Sequence, residues 1–144
     1  MKIIVFHQRL SVPEAKCSGC RYCEAICSYF HFGECNPKRS AIRVMYDGHG
    51  NYTPNTCKHC QKPKCVEACP TKSIVINGEG YIEVNKKTCI GCGVCVTECP
   101  FKGIYLDPVD KKAISCDICG GDPQCVKYCA PHVLTFTDEK EVVK

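Results

Sequence analysis

Apolar residues along the chain fall in short alternating sets separated by turn residues, a pattern that predicts hairpins. Ile42, Val44 and Tyr46 alternate and run into Asp47-Gly48. Ile74 and Ile76 alternate, Asn77-Gly78-Glu79-Gly80 turns, and Ile82 and Val84 alternate back. Ile104 and Leu106 lead into Asp107-Pro108 and return at Ala113-Ile114. Each stretch predicts a small antiparallel hairpin. Helical signal is confined to single turns at Glu24-Ala25-Ile26, Val66-Glu67-Ala68 and Val96-Thr97-Glu98, the last two ended by Pro70 and Pro100. The charged segment Asp138 to Lys144 is expected at the periphery. The longest aliphatic and aromatic runs, such as Ile3-Ile4-Val5-Phe6, fall far short of the ~18 residues of a membrane span. Met1 to Leu10 is too short and too polar for a secretory signal and holds no Arg-Arg pair, so the expected location is cytoplasmic.

Composition sharpens this picture. Val and Ile together number 24 against 3 Leu, which favours short strands over packed helices. Of 144 residues 17 are Cys, and without them only about a third of the chain is apolar. Ordering each residue costs roughly 1–2 kcal/mol, and so thin an apolar core does not cover that cost alone. Bound metal can supply folding free energy directly, and cytoplasmic thiols stay reduced, so the cysteines are expected to hold metal.

The cysteines mark a fourfold repeat. Motif one is Cys17-x2-Cys20-x2-Cys23-x3-Cys27. Motif two is Cys57-x2-Cys60-x4-Cys65-x3-Cys69, motif three Cys89-x2-Cys92-x2-Cys95-x3-Cys99, and motif four Cys116-x2-Cys119-x5-Cys125-x3-Cys129. Motifs one and three match the bacterial ferredoxin run, in which three closely spaced thiolates wrap one four-iron cubane and the fourth reaches a neighbouring cluster. Four complete motifs predict four 4Fe–4S clusters, and Cys35 is left over as a free structural thiol. Zinc prefers separated Cys pairs around one tetrahedral site. Disulfides need an oxidising compartment, and the C-x3-C-x2-C run of radical enzymes is absent. His59, between Cys57 and Cys60, is expected to donate a hydrogen bond near a cluster or to face solvent. His7, His31, His49 and His132 have no ligand spacing, and Asp117 and Asp122 read as turn or cap residues. The loops in motifs two and four, Gln61-Lys62-Pro63-Lys64 and Gly120-Gly121-Asp122-Pro123-Gln124, read as neutral bulges or, alternatively, as loops shaped to meet a partner near the cluster.

The formal charge of +4 counts thiols as neutral. Each cubane held by four thiolates adds about −2, so four bring the molecule to roughly −4, and nucleic acid is not an expected partner. Nothing in the chain resembles a phosphate loop, a nucleophile elbow or a paired-carboxylate site. The expectation is electron transfer with no catalytic residues of its own, at potentials near about −400 mV for all-Cys ligation.

The motifs, with Cys57-Lys58-His59-Cys60 in the second and Cys116-Asp117-Ile118-Cys119 in the fourth, resemble the four-cluster iron–sulfur subunits of the dimethyl sulfoxide reductase type. The resemblance runs from Cys17 to Pro131. The stretch Cys17 to Ser28, then Asn36-Pro37 and Ala41-Ile42-Arg43-Val44, looks closest to the small subunit that accompanies tungsten aldehyde:ferredoxin oxidoreductase-like enzymes. The resemblance implies an α+β fold of two interleaved ferredoxin-like dicluster modules. The inner module would span 54–108 and the outer module 1–53 plus 109–144, within one four-cluster unit over 1–144. It also implies a large catalytic partner, with a tungsten or molybdenum pterin, and a soluble ferredoxin or other electron carrier. The alternatives are a free-standing soluble polyferredoxin and a subunit of a carbon monoxide dehydrogenase or hydrogenase. An anaerobic setting suits any of them.

Two wirings stand open. Motifs two and three are the cleanest pair, since 19 residues with one hairpin separate Cys69 from Cys89 and both motifs end in Cys-Pro. Motifs one and four are then left to pair, as the resemblance also implies. The nested sets are Cys17, Cys20, Cys23, Cys129 (group a); Cys116, Cys119, Cys125, Cys27 (group b); Cys57, Cys60, Cys65, Cys99 (group c); and Cys89, Cys92, Cys95, Cys69 (group d). The rival pairs motif one with two and three with four, which the hairpin at Ile104 to Ile114 would permit. Against it stands the 29-residue stretch between Cys27 and Cys57.

Overall fold

The computed structural model describes residues 3–11, 17–60, 62–78 and 80–143, with side chains described over 17–136 of these. Gln61 of the motif-two bulge and Glu79 of the hairpin turn lie outside the described residues, as does the side chain of His7. The fold is α+β, built of four separate two-stranded antiparallel sheets and short helices.

The three expected hairpins form. Strands β2 (Arg43–Tyr46) and β3 (Tyr52–Asn55) pair with Val44 opposite Pro54. The Asp47 carboxylate closes their turn by accepting from the amides of His49 and Asn51 at 2.7 and 3.1 Å. Strands β4 (Ile74–Ile76) and β5 (Ile82–Val84) pair with Ile74 opposite Val84, and the Asn77 side chain accepts from the Tyr81 amide at 3.0 Å. Strands β6 (Tyr105–Leu106) and β7 (Ala113–Ile114) pair across a turn where Asp107 accepts from the Val109 amide at 2.8 Å.

Two features differ from the sequence expectation. The helix of motif one is not a single turn. It is α1 (Tyr22–Phe32), 11 residues long, stopped by Gly33 at φ 72°, whose amide bonds the Tyr29 carbonyl at 2.8 Å. No proline follows Cys27, so nothing ends the helix there. In motifs two and three, Pro70 and Pro100 hold α2 (Lys64–Ala68) and α3 (Val94–Glu98) to 5 residues each. Helix α4 (Gln124–Lys127) is similarly short. Second, the terminal segments form a ribbon: β1 (Ile3–Ser11) pairs with β8 (Thr135–Val143) over nine residues, Ile3 opposite Val143. The charged segment after Asp138 is therefore strand over residues 138–143.

Packing gathers around two cores. Helix α1 lies against α4, and α2 against α3. The first core joins Cys23, Cys27, Ile42, Val44, Ile118 and Cys125, with Tyr81 and Leu134. The second joins Cys57, Cys65, Cys69, Ile74, Cys95 and Ile104, with Ile82 and Ala113. Cys116 packs against both. Among the described residues, 7 of the 19 buried apolar side chains are cysteines, so the chemistry of the thiols decides how this core holds. No helix among the described residues is long and apolar enough to cross a membrane.

Candidate metal centres

Each Cys-x-x-Cys loop has the same backbone device. The residue before the second Cys is left-handed in all four: Gly19 at φ 72°, His59 at 48°, Gly91 at 70° and Ile118 at 56°. This conformation curls the loop so that successive thiols turn inward, and glycine adopts it without strain. At Gly19 and Gly91 a side chain would also collide. A Cβ on Gly19 would lie 2.8 Å from the Tyr52 ring, and one on Gly91 would overlap the Lys111 carbonyl.

A second device serves the last Cys of motifs two and three. After Cys69 and Cys99 the chain turns through left-handed Lys72 and Lys102. The amide four residues beyond each Cys then donates to its sulfur: Ser73 to Cys69 at 3.3 Å and Gly103 to Cys99 at 3.4 Å. Cys27 lies inside α1 and cannot use that turn, so the amide of Ala41 reaches its sulfur instead, at 3.4 Å. The amides of His59 and Ile118 donate to Cys57 and Cys116, each at 3.4 Å, and that of Ala113 to Cys89 at 3.5 Å.

The thiols converge in sets. One cavity is lined by Cys69, Cys89, Cys92 and Cys95. Another is lined by Cys27, Cys116, Cys119 and Cys125. Cys57 and Cys65 each interact electrostatically with Cys99, and Cys23 with Cys17 and Cys20. Cys129 packs partly buried against the core that holds Cys23 and Cys125. Cys20 and Cys92 are exposed, whereas Cys60 and Cys119 are half-buried. Cys35 is exposed and outside both cavities.

The electrostatics fit a bound cationic core. Burial pushes Cys23, Cys65 and Cys125 up to about 12. It raises Cys116 well above the ordinary thiol range, and Cys57, Cys95 and Cys119 less far. Such clusters of thiols become thiolates only when a metal supplies compensating charge. Two last-position thiols go the other way. Burial opposes ionisation of Cys69, but the Thr71 hydroxyl and the Ser73 amide outweigh it and bring it to about 7. For Cys27, burial is outweighed by the His31 ring and the Ala41 amide.

The histidines divide by role. His59 is buried, and its Nδ1 accepts from the Ile82 amide at 3.2 Å. Burial lowers it to about 4, so the ring is neutral with its proton on Nε2. That atom is buried without a hydrogen-bond partner among the described residues, a donor that fits a sulfide or thiolate of a bound cluster. His31 instead donates from both nitrogens, to the Cys27 carbonyl at 2.9 Å and to Asp117 at 3.0 Å. The Asp117 hydrogen bond raises it to about 11. Its ring therefore has no lone pair for a metal, although it lies beside Asp117 and Cys119. This contact spans 86 positions, and no spacing signal in the sequence announces it.

The sequence comparisons agree with this chemistry. The family model of the 4Fe-4S dicluster domain matches residues 49–139. The polyferredoxin-like subunit of an aliphatic sulfonate oxidoreductase from Pyrococcus furiosus is 43% identical over 79% of this chain and 66% of its own. A polysulfide reductase subunit of Wolinella succinogenes is 38% identical over 61% of this chain and 50% of its own. The chain thus spans less than two thirds of these relatives' length. Among solved structures, the active site complex BamBC of benzoyl coenzyme A reductase with benzoyl-CoA matches at a TM-score of 0.55. The identity there is 27%, over 100% of this chain and 84% of that one. This is an iron–sulfur chain, and its sixteen motif cysteines match four 4Fe–4S clusters. With its repeated cysteine loops and paired short helices, it belongs to the 4Fe-4S dicluster domain family.

Proposed function

We propose that the chain is the electron-transfer subunit of an oxidoreductase complex, with its clusters wired in the nested order a–b–c–d. The observation that carries this reading is the company of Cys27, which shares a cavity with Cys116, Cys119 and Cys125 although 89 positions separate it from Cys116. The parallel grouping of Cys69 with Cys89, Cys92 and Cys95 supports it. So do the packing of α1 on α4 and of α2 on α3. Groups a and b then form the outer module (1–53 plus 109–144), and groups c and d the inner module (54–108). Cys116 packs against both cores, which supports b and c as the middle step.

When bound, each cluster supplies one site for one-electron exchange. The chain's own groups do the rest. Sixteen thiolates hold the sites, and the amides of Ala41, Ser73 and Gly103 donate to ligand sulfurs. Such donation favours the more negative, reduced state. Buried Ile42, Ile74, Ile104 and Ile118 keep water away.

Our reading of the partner is a catalytic subunit with a tungsten or molybdenum pterin, of the aldehyde oxidoreductase type. A soluble ferredoxin or other carrier serves the opposite end, and the location is the cytoplasm. The opening motif and the likeness to an oxidoreductase subunit and to a reductase active-site complex support it. The likeness to the polysulfide reductase subunit favours a second reading, a partner that reduces sulfur compounds. Anaerobic purification from the native source tests both. The protein should carry about sixteen iron and sixteen sulfide per chain and co-purify with a large pterin subunit. Tungsten with aldehyde oxidation supports the first reading, molybdenum with sulfur-compound reduction the second. A fully loaded chain that purifies alone would be a free-standing polyferredoxin.

A further inference from the structure

We infer that the surface around Cys92 is the docking site for a small acidic electron-carrier protein. This rests on the wire reading above, in which group d is one end of the chain of clusters. Cys92 is exposed, and Ile90, two residues before it, is 67% exposed; Val109, on the β6–β7 turn that is tied to this loop, is 62% exposed, and these are the two most exposed large apolar residues of the described chain. Leu106 is 38% exposed and lines the same cavity mouth as Ile90 and Cys92. Aliphatic surface this exposed beside a solvent-facing ligand marks an interaction site.

The patch is held in shape. The Lys112 ammonium donates to the carbonyls of Cys89, at 3.2 Å, and of Lys86. This ties the group d loop to the turn between β6 and β7. Gly91 lets the Lys111 carbonyl come close, and the Asp107 carboxylate inside that turn is fixed by Arg39 at 2.9 Å. Ile90 and Val109 are thereby carried on two loops that are tied to each other.

Charge selects the occupant. The two loops, 86–92 and 106–112, carry Lys86, Lys87, Lys111 and Lys112. Asp107 is fully buried, so Asp110 is their single exposed carboxylate, and Lys86 answers it at 3.6 Å. Lys87 and Lys111 belong to no ion pair among the described residues and are exposed. A cationic rim around an apolar centre fits a partner whose own exposed cluster is ringed by carboxylates. The other exposed ligand, Cys20, has different surroundings. The rings of Tyr22 and Tyr128 meet edge-on at 5.9 Å beside its motif, and the nearby cations Arg21 and Lys127 are already paired with Glu24 and Asp122. The transfer itself moves one electron and breaks no bond: the carrier is oxidised by one and this chain is reduced by one.

The test is stopped-flow reduction of the cluster-loaded full chain, with a reduced acidic two-cluster ferredoxin as probe and reduced methyl viologen as the small-molecule control. Val109→Asp and Lys87→Glu should each slow the ferredoxin reaction about tenfold and leave the viologen reaction unchanged. The wild-type ferredoxin rate should fall with added salt. Met45→Asp, which alters an exposed apolar residue on β2, should change neither rate. Iron content and the viologen reaction report separately on the wire reading. The docking site is overturned if the two variants react with ferredoxin at the wild-type rate, or if Met45→Asp slows it equally. It is also overturned if the wild type dimerises through this face, with Val109→Asp restoring the monomer, or if the purified complex shows the catalytic subunit covering Ile90.

Discussion

The four loop residues before the second Cys show how a single dihedral angle decides metal binding. Glycine fills two of these left-handed positions, His59 and the fully buried Ile118 the others. Gly91→Ala meets both the strain and the Lys111 carbonyl, so this variant should lose the iron of group d selectively, about a quarter of the total by ligand count. Iron analysis with electron paramagnetic resonance checks it; full retention of iron would contradict the collision. Glu24 is a second case. It is buried at 2%, and its carboxylate accepts from the Val44 amide at 2.6 Å, which fastens β2 to α1. Glu24→Ala leaves that amide without a partner and should cost about 2 kcal/mol, seen as cluster bleaching at lower denaturant. Glu24→Gln, which still accepts, should keep most of the stability. Asp107 is the third. Burial opposes its charge, but the Arg39 guanidinium and the Val109 amide hold its carboxyl below the ordinary range. A depressed carboxyl stabilises the fold above the ordinary carboxylate pKa of about 3.9. That contribution is lost as pH falls through the lower folded value. Asp107→Asn should therefore bleach faster than wild type at neutral pH, and the difference should close as pH drops below about 4. A difference that persists in acid would assign the effect to packing. At this scale the thiols were legible because their spacing is a code. Glu24, and the His31–Asp117 contact, were not. Each reaches across the fold to a group that no local pattern marks.

The elements behave as delivery devices for sulfur ligands and amides. The three inner hairpins were legible because alternation and turn chemistry are local. They place Ser73, Gly103 and Ala113 where their amides meet Cys69, Cys99 and Cys89. The length of α1 was not legible from a three-residue gap: its stop is Gly33, and motif one lacks the proline that follows the last Cys of motifs two and three. The β1–β8 ribbon was missed for a different reason. Asp138, Glu139, Lys140 and Glu141 run in sequence without an apolar alternation, and their strand partners stand more than 120 positions away. The turn after Cys69 and Cys99 yields a prediction of its own. Lys102 sits at φ 51°, which a β-branched residue adopts only with strain. Lys102→Val should weaken iron retention at group c, whereas Lys102→Gly should stay within about 1 kcal/mol of wild type. Equal loss in both variants would show that the lysine side chain matters more than its backbone.

For the whole molecule, the thiols are the core. With 7 of 19 buried apolar side chains being cysteines among the described residues, removing iron removes the metal–thiolate bonds that tie this core together. The chain freed of iron by chelator and oxidant should therefore lose cooperative structure, as read by circular dichroism. A native-like spectrum after iron loss would show that Ile42, Ile74, Ile104 and Ile118 suffice. The fold class and the four-cluster count were legible from composition and repeats. The division into two cores was less so, because Tyr81 and Ala113 each pack away from their sequence neighbourhood. The central claim is the nested wiring, and the sulfur of Cys129 tests it most directly. In an anaerobic crystal structure of the iron-loaded chain, that sulfur should bind the iron core held by Cys17, Cys20 and Cys23. A bond from Cys129 to the core held by Cys89, Cys92 and Cys95 would contradict the account.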